Sequence, residues 1–232
     1  WMALSRTAQE DPDFLLPSRQ SETDEARLAK ALRDDGGGCP VPLLPSHAEI
    51  ARGYGRTLTE MKWTPNKILA LAKESPAPLH RFVELMSRVP GYREDPFQRK
   101  TFLLALILRS RPEKFLPSDG SPWPPLLDRH ALRAALRWGV LGEPDMDLRG
   151  RLARAEAVPP AAEEAIRTAA HGAVARILGT AGRSVPEVYA LLGGAREWCP
   201  ENAAPDCDVC FFGAACARRV DLKGPFGRTT AY

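Results

Sequence analysis

Four cysteines near the C-terminus carry the strongest chemical signal in the chain. Cys199, Cys207, Cys210 and Cys216 stand in the spacing C-x7-C-x2-C-x5-C, within the stretch CPENAAPDCDVCFFGAAC. Thiolates are soft donors suited to iron–sulfur clusters and zinc, and a short loop containing Gly and Ala can wrap a compact metal group. Zinc ribbons usually draw two C-x-x-C knuckles from separated segments. Here a single C-x-x-C is flanked by lone cysteines, which points to a four-iron four-sulfur cluster, with structural zinc as the alternative. The chain has 5 cysteines, an odd number, so metal ligation in a reducing, cytoplasmic compartment is expected rather than a disulfide framework. Cys39 stands apart after Gly36-Gly37-Gly38 and reads as a non-ligating thiol.

The longer stretch from Leu191 to Arg219, LLGGAREWCPENAAPDCDVCFFGAACARR, resembles the C-terminal iron–sulfur loop of the endonuclease III branch of the helix-hairpin-helix DNA glycosylases. That family has a Gly-Arg pair shortly before its first cysteine, matched by Gly194 and Arg196; its first inter-cysteine gap is one residue shorter. The family pattern V-D-x-H-x-x-R is met within LLDRHALRAALRWG, residues 126–139, by Asp128, His130 and Arg133, with Leu127 in place of Val. The resemblance implies that Asp128 is catalytic. Elementary chemistry supports the assignment: a carboxylate at a helix N-terminus accepts from free backbone N–H groups and can stabilise the oxocarbenium-like sugar left when an N-glycosidic bond breaks. Taken alone, an Asp before a helix is an N-cap, and it is the coincidence with the cysteine loop that gives it a purpose. His130 and Arg133 are assigned no chemistry.

The family also carries a hairpin, L-P-G-x-G-x-K-T/A, whose amides grip a DNA phosphate and whose lysine attacks the sugar in lyase-active members. The corresponding stretch is VPGYREDPFQRKTFLLALIL, residues 89–108, where Val89-Pro90-Gly91 matches the start and Arg99-Lys100-Thr101 the end. Tyr92 to Gln98 replace a short turn, so the hairpin is expanded and its phosphate grip is in doubt. The resemblance makes Lys100 the amine nucleophile that forms a Schiff base with the sugar, against the plainer reading of a solvated lysine at a helix start. Arg99 beside it is a candidate DNA contact. Arg218, Arg219, Lys223 and Arg228 form a basic tail that could lie along phosphates. Phe115 and Trp123, in the insertion between Lys100 and Asp128, are expected to seal a core rather than stack on a base. His47, His80 and His171 lack metal-like spacing and read as structural or surface residues.

These residues must be positioned by helices. Apolar periodicity, divided by proline and glycine, predicts helices over about 22–35, 47–60, 65–74, 78–88, 96–109, 124–138, 160–179 and 185–198. The fold class is all-α, a two-lobed helical arrangement if the resemblance holds. Pro65 and Pro78 fall where first-turn prolines are tolerated, and Ser184 with Glu187 forms a capping box. The run Phe102 to Leu108 is apolar on every side and is expected at the centre of its domain. Four segments follow: a disordered 1–21; an N-terminal helix and linker, 22–45, packing on the cluster domain; a central helical domain, 46–140, with the divergent hairpin and Asp128; and 141–232, with the C-terminal helices, cysteine loop and tail.

Composition sets broader limits. The chain of 232 residues is 44% hydrophobic and 26% charged, long enough to bury a core, and its longest apolar run is too short to span a bilayer. With no basic-then-apolar leader, a cytoplasmic monomer without a membrane is expected, nucleoid-associated if bacterial. A net charge of +3 does not decide the partner. The resemblance implies a DNA glycosylase acting on a lesion or modified base in double-stranded DNA. An N-glycosidase for a free modified nucleoside or nucleotide, and a non-catalytic iron–sulfur nucleic-acid-binding protein, are the alternatives.

Overall fold

The computed structural model describes residues 2–200 and 203–224. Among them the chain forms eleven α-helices and one 3-10 turn, with no strand, as the all-α expectation requires. It divides into two compact units between Ser121 and Pro122, within the proline-rich coil that precedes Asp128. The expected boundary after residue 140 is thus corrected: Asp128 and its helix belong with the C-terminal helices. Arg228 of the basic tail lies outside the described residues.

The first unit contains α1 (Met2–Glu10), α2 (Pro17–Gln20), α3 (Glu25–Ala31), α4 (Leu44–Glu60), α5 (Pro65–Lys73), α6 (Pro78–Met86) and α7 (Arg99–Ser110). Pro65 and Pro78 open α5 and α6, where a missing N–H costs nothing. Asp24 caps α3 by accepting from the Arg27 amide at 2.7 Å, and Thr64 caps α5 through the Lys67 amide at 3.1 Å.

A disordered segment over 1–21 does not hold. Phe14 is buried with Leu28, Ala31 and Ala48, the Thr7 hydroxyl donates to the Ala31 carbonyl at 2.8 Å, and Arg27 pairs with Asp11 at 2.9 Å. One aromatic anchor and a few polar ties replace the apolar stripe that the sequence lacks. These contacts also place α3 in the first unit, correcting its assignment to the cluster domain. Helix α2 lies so close to α4 that a Cβ at Gly55 would sit 2.2 Å from the Ser21 nitrogen and 2.4 Å from the Pro17 oxygen.

The apolar run of α7 is not central. Of residues 102–108 only Ala105 is fully buried, and Ile107 is 50% exposed. A helix that is apolar all round has no preferred face, so its neighbours alone decide what is covered. Phe115 is exposed as well, and Leu116 beside it is buried in its stead.

The second unit contains α8 (Arg129–Trp138), α9 (Met146–Ala153), α10 (Pro160–Ala181) and α11 (Val185–Trp198). Here α8 is the central helix: every residue from Ala131 to Trp138 is buried, although two of them are arginines. Leu132 and Leu136 join Ile166, Ala170 and Val174 of α10 and Leu192 of α11 in one core. Each large aliphatic side chain so buried contributes about 1.5–3 kcal/mol. The Ser184 amide donates to Glu187 at 2.8 Å, closing the expected capping box. Helix α9, capped by Asp145, has no counterpart among the sequence expectations.

Candidate functional site

Asp128 occupies the N-cap of α8. Its Oδ1 accepts from the Ala131 amide at 2.8 Å and its Oδ2 from the Arg196 guanidinium at 2.7 Å. The carboxylate is mostly buried, while the arginine side chain is 50% exposed. Helix α8 supplies one hydrogen bond and α11 the other, so the two oxygens are held in a single orientation. One turn further on, Arg133 points Nη1 at His130 Nδ1, 3.2 Å away, and donates through Nη2 to the Cys199 carbonyl at 2.9 Å. Arg133 thus ties the helix to the cysteine loop.

The loop wraps the other end of the same helix. Arg137, 3% exposed, donates through Nε to the Leu222 carbonyl at 2.6 Å, and through Nη1 to the Pro200 carbonyl at 3.1 Å and the Cys199 Sγ at 3.2 Å. In return the Ala217 amide donates to the Trp138 carbonyl at 3.0 Å and the Arg219 amide to the Arg137 carbonyl at 3.1 Å, which satisfies carbonyls that a helix end leaves open. Gly139 makes the approach feasible: its φ of +80° is left-handed, and a Cβ there would meet the Ala217 Cβ at 2.6 Å. Phe212 stacks on Trp138 with ring centroids 3.9 Å apart.

All four loop cysteines are free thiols, with Cys199 buried and the others half-buried. Two already receive N–H donors, Cys199 from Arg137 and Cys216 from the Arg218 amide at 3.3 Å, the kind of contact that stabilises thiolate ligands. The donor set therefore fits a soft metal group. Among the described residues, however, no three His, Cys, Asp or Glu side chains converge on one point.

Lys100 belongs to the first unit. The expanded hairpin before it is an ordered loop: the buried Asp95 accepts from the amides of Phe97 at 3.1 Å and Arg99 at 2.7 Å, and Gln98 donates to the Asp95 carbonyl at 2.9 Å. The Gly91 amide donates to Glu94 at 2.7 Å, so a side-chain carboxylate occupies the donor that the hairpin pattern reserves for phosphate. Lys100 Nζ donates to the Gly91 carbonyl at 3.2 Å and lines a cavity of about 400 Å³ with His47, Tyr54 and Tyr92. Burial pushes the Lys100 ammonium below its usual range; Asp95 and Glu94 oppose the shift and Arg99 adds to it. Burial also lowers His47, with the Lys100 charge acting the same way. The phenols of Tyr54 and Tyr92 are raised, chiefly by burial.

The basic residues separate. Arg99 is only 8% exposed and cannot lie along a phosphate backbone, which corrects its assignment as a DNA contact. Arg219 is committed within the unit, pairing with Glu143 at 2.8 Å and donating to the Leu141 carbonyl at 2.9 Å. Arg218 and Lys223 are exposed. The sequence reading missed Arg137, Arg196 as the partner of Asp128, and His47. Two of them left a trace: Arg137 as a second arginine four residues after Arg133 on an otherwise Ala- and Leu-rich helix, and Arg196 as the arginine shortly before the first cysteine.

No family model matches the chain, and neither a curated protein nor a solved structure matches it. Among the described residues no helix is long and apolar enough to cross a membrane.

Proposed function

We propose that the protein is a DNA N-glycosylase that releases a damaged or modified base, and that Lys100 adds a lyase step. One observation carries the reading: α8 bears an oriented aspartate at its first residue's cap and the four-cysteine loop at its last turn. A duplex base would have to leave the stack to be cleaved. Asp128, fixed by Ala131 and Arg196, then stands as the anion opposite the cationic sugar, and its positive neighbour keeps it from rotating away. Cys199, Cys207, Cys210 and Cys216 would hold a four-iron four-sulfur cluster, or zinc, as a structural group. Purified full-length protein and a panel of lesion-bearing duplexes test the proposal: failure both to bind duplex and to release any base would sink it.

A second reading, an N-glycosidase for a free modified nucleoside or nucleotide, is favoured by the engaged Gly91 amide and by the buried or committed Arg99 and Arg219. A steep loss of duplex affinity with rising salt supports the first reading over the second.

A further inference from the structure

The first unit holds a second cavity, of about 230 Å³, which shares Tyr54 and Tyr92 with the one that Lys100 lines but is not itself lined by Lys100 or His47. We propose that it binds a neutral, flat bicyclic aromatic molecule the size of indole, its rings against Phe82, Met86 and the leucines of α7 and its one polar edge at the two tyrosine hydroxyls. The inference rests neither on DNA nor on Asp128, Lys100 or the cysteine loop.

Size and lining select the ligand. Ile68 of α5 with Phe82 and Met86 of α6 are buried, none more than 5% exposed, while Pro65 at the start of α5 is exposed and gives the cavity an outer edge. Helix α7 adds Leu104 and Leu108, one turn apart and half-buried. No charged side chain lines the space, so an ionic ligand would lose its hydration without a partner. An apolar cavity of about 150 Å³ lined by Leu, Ile and Phe stays dry and holds benzene, so the larger volume here has room for a second fused ring. The rings of Phe82, Tyr54 and Tyr92 and the thioether of Met86 favour a flat aromatic over a branched aliphatic molecule, because both ring edges and sulfur interact with a π face.

The tyrosines supply the polar end. Both are half-buried, yet among the described residues neither hydroxyl has a hydrogen-bond partner, which a Tyr hydroxyl in that position usually finds. Burial raises both phenols, so they stay neutral and can donate or accept without bringing a charge to the cavity. One N–H or ring nitrogen on the ligand would satisfy them. The same ligand accounts for α7, whose run from Phe102 to Leu108 is apolar on every side although only Ala105 is fully buried. Leu104 and Leu108 line a space that no protein atom fills, and an empty apolar cavity destabilises in proportion to its volume.

Calorimetric titration of the full-length protein with indole should show one saturable site. Indene, the same ring pair with a CH₂ in place of the N–H, should bind about 5-fold more weakly, and Tyr54→Phe combined with Tyr92→Phe should bring indole down to the level of indene. Leu104→Phe fills the cavity and should weaken indole by about 10-fold or more, whereas Ile107→Phe, on the same helix but outside the lining and 50% exposed, should leave it unchanged. Absence of saturable binding, binding of uracil as tight as that of indole, or an unchanged affinity in Leu104→Phe would overturn the proposal. Should Leu104→Phe not fold, hydrogen exchange of the wild type decides: indole must slow amides of α6 and α7 and leave those of α10 as they were, and a map without protection in α6 and α7 removes the site.

Discussion

Replacing Asp128 separates a cap from a catalyst. In Asp128→Asn the amide oxygen can still accept from the Ala131 N–H, and Asn caps helices as well as Asp does. What is lost is the charge facing Arg196, and because that side chain is 50% exposed the pair is worth about 0.5 kcal/mol. In Asp128→Ala the cap is lost as well, and the N–H of the 2% exposed Ala131 is left without its acceptor. The combined cost is about 2 kcal/mol. Urea unfolding followed by circular dichroism should therefore rank the variants wild type, Asn, Ala, with the Asn form close to wild type. Turnover should rank them differently: both variants lose the anion at the reacting centre and should fall by about 100-fold or more. If Asp128→Asn releases base within about threefold of wild type, the carboxylate is only a cap and the proposed chemistry is refuted. Equal destabilisation by Asn and Ala would refute the energetic reasoning instead.

Four further outcomes are expected. Cys207→Ser should lower bound iron and acid-labile sulfide and remove visible charge-transfer absorption, with Cys39→Ser unaffected; equal metal content in both would dismiss the loop as ligand. Arg137→Met strands the carbonyls of Pro200 and Leu222 and should cost about 3 kcal/mol and expose the loop to protease, so wild-type protease resistance would contradict its role. In Gly55→Ala the new Cβ meets backbone atoms of α2 at 2.2 and 2.4 Å, an overlap worth about 2–3 kcal/mol against about 1 kcal/mol gained in helix propensity; a net gain in stability would refute the close packing. His47 has its folded pKa depressed below 6.5, so the unfolded chain binds more protons and stability should fall as pH drops from 6.5 through the folded value. His47→Gln should flatten that limb, as measured by urea midpoints from pH 7 to 5.

Local signals in the sequence locate the helix starts well, because they act within a turn. Pro65, Pro78 and the Ser184–Glu187 box each need only their own neighbours. Burial of α8 is not legible in that way. Arg133 and Arg137 give the helix a surface-like composition, and what allows them inside is a set of acceptors 62 to 85 residues further along the chain. The same distance hides the partner of Asp128: its cap is local, but Arg196 lies 68 residues away and only the packing of α11 brings it in. Lys100 stands out in the sequence through its motif, whereas the cavity it lines depends on α4, on Leu28 of α3 and on Gln20 at the end of α2. The N-terminal helices escaped notice for a related reason, since Phe14 anchors them with little apolar periodicity.

The wiring of α8 also bears on how a structural group in the cysteine loop would govern the proposed catalytic aspartate. Arg196 pairs with Asp128 and lies three residues before Cys199 on the chain, while the Cys199 amide closes the last turn of α11 on the Ala195 carbonyl at 2.8 Å. Arg133 grips the Cys199 carbonyl, and Arg137 grips its sulfur. Any shift of the first cysteine is thus felt by the arginine that orients the acid, by the helix whose N–H the acid caps, and by the guanidinium one turn below it. A metal group pinning the loop would fix Cys199, and with it the direction of Asp128 Oδ2. Loss of that group should then lower turnover by disorienting the carboxylate while α8, held by Leu132 and Leu136 in its own core, stays folded. The signature would be a fall in turnover on demetallation larger than the change in the unfolding midpoint accounts for.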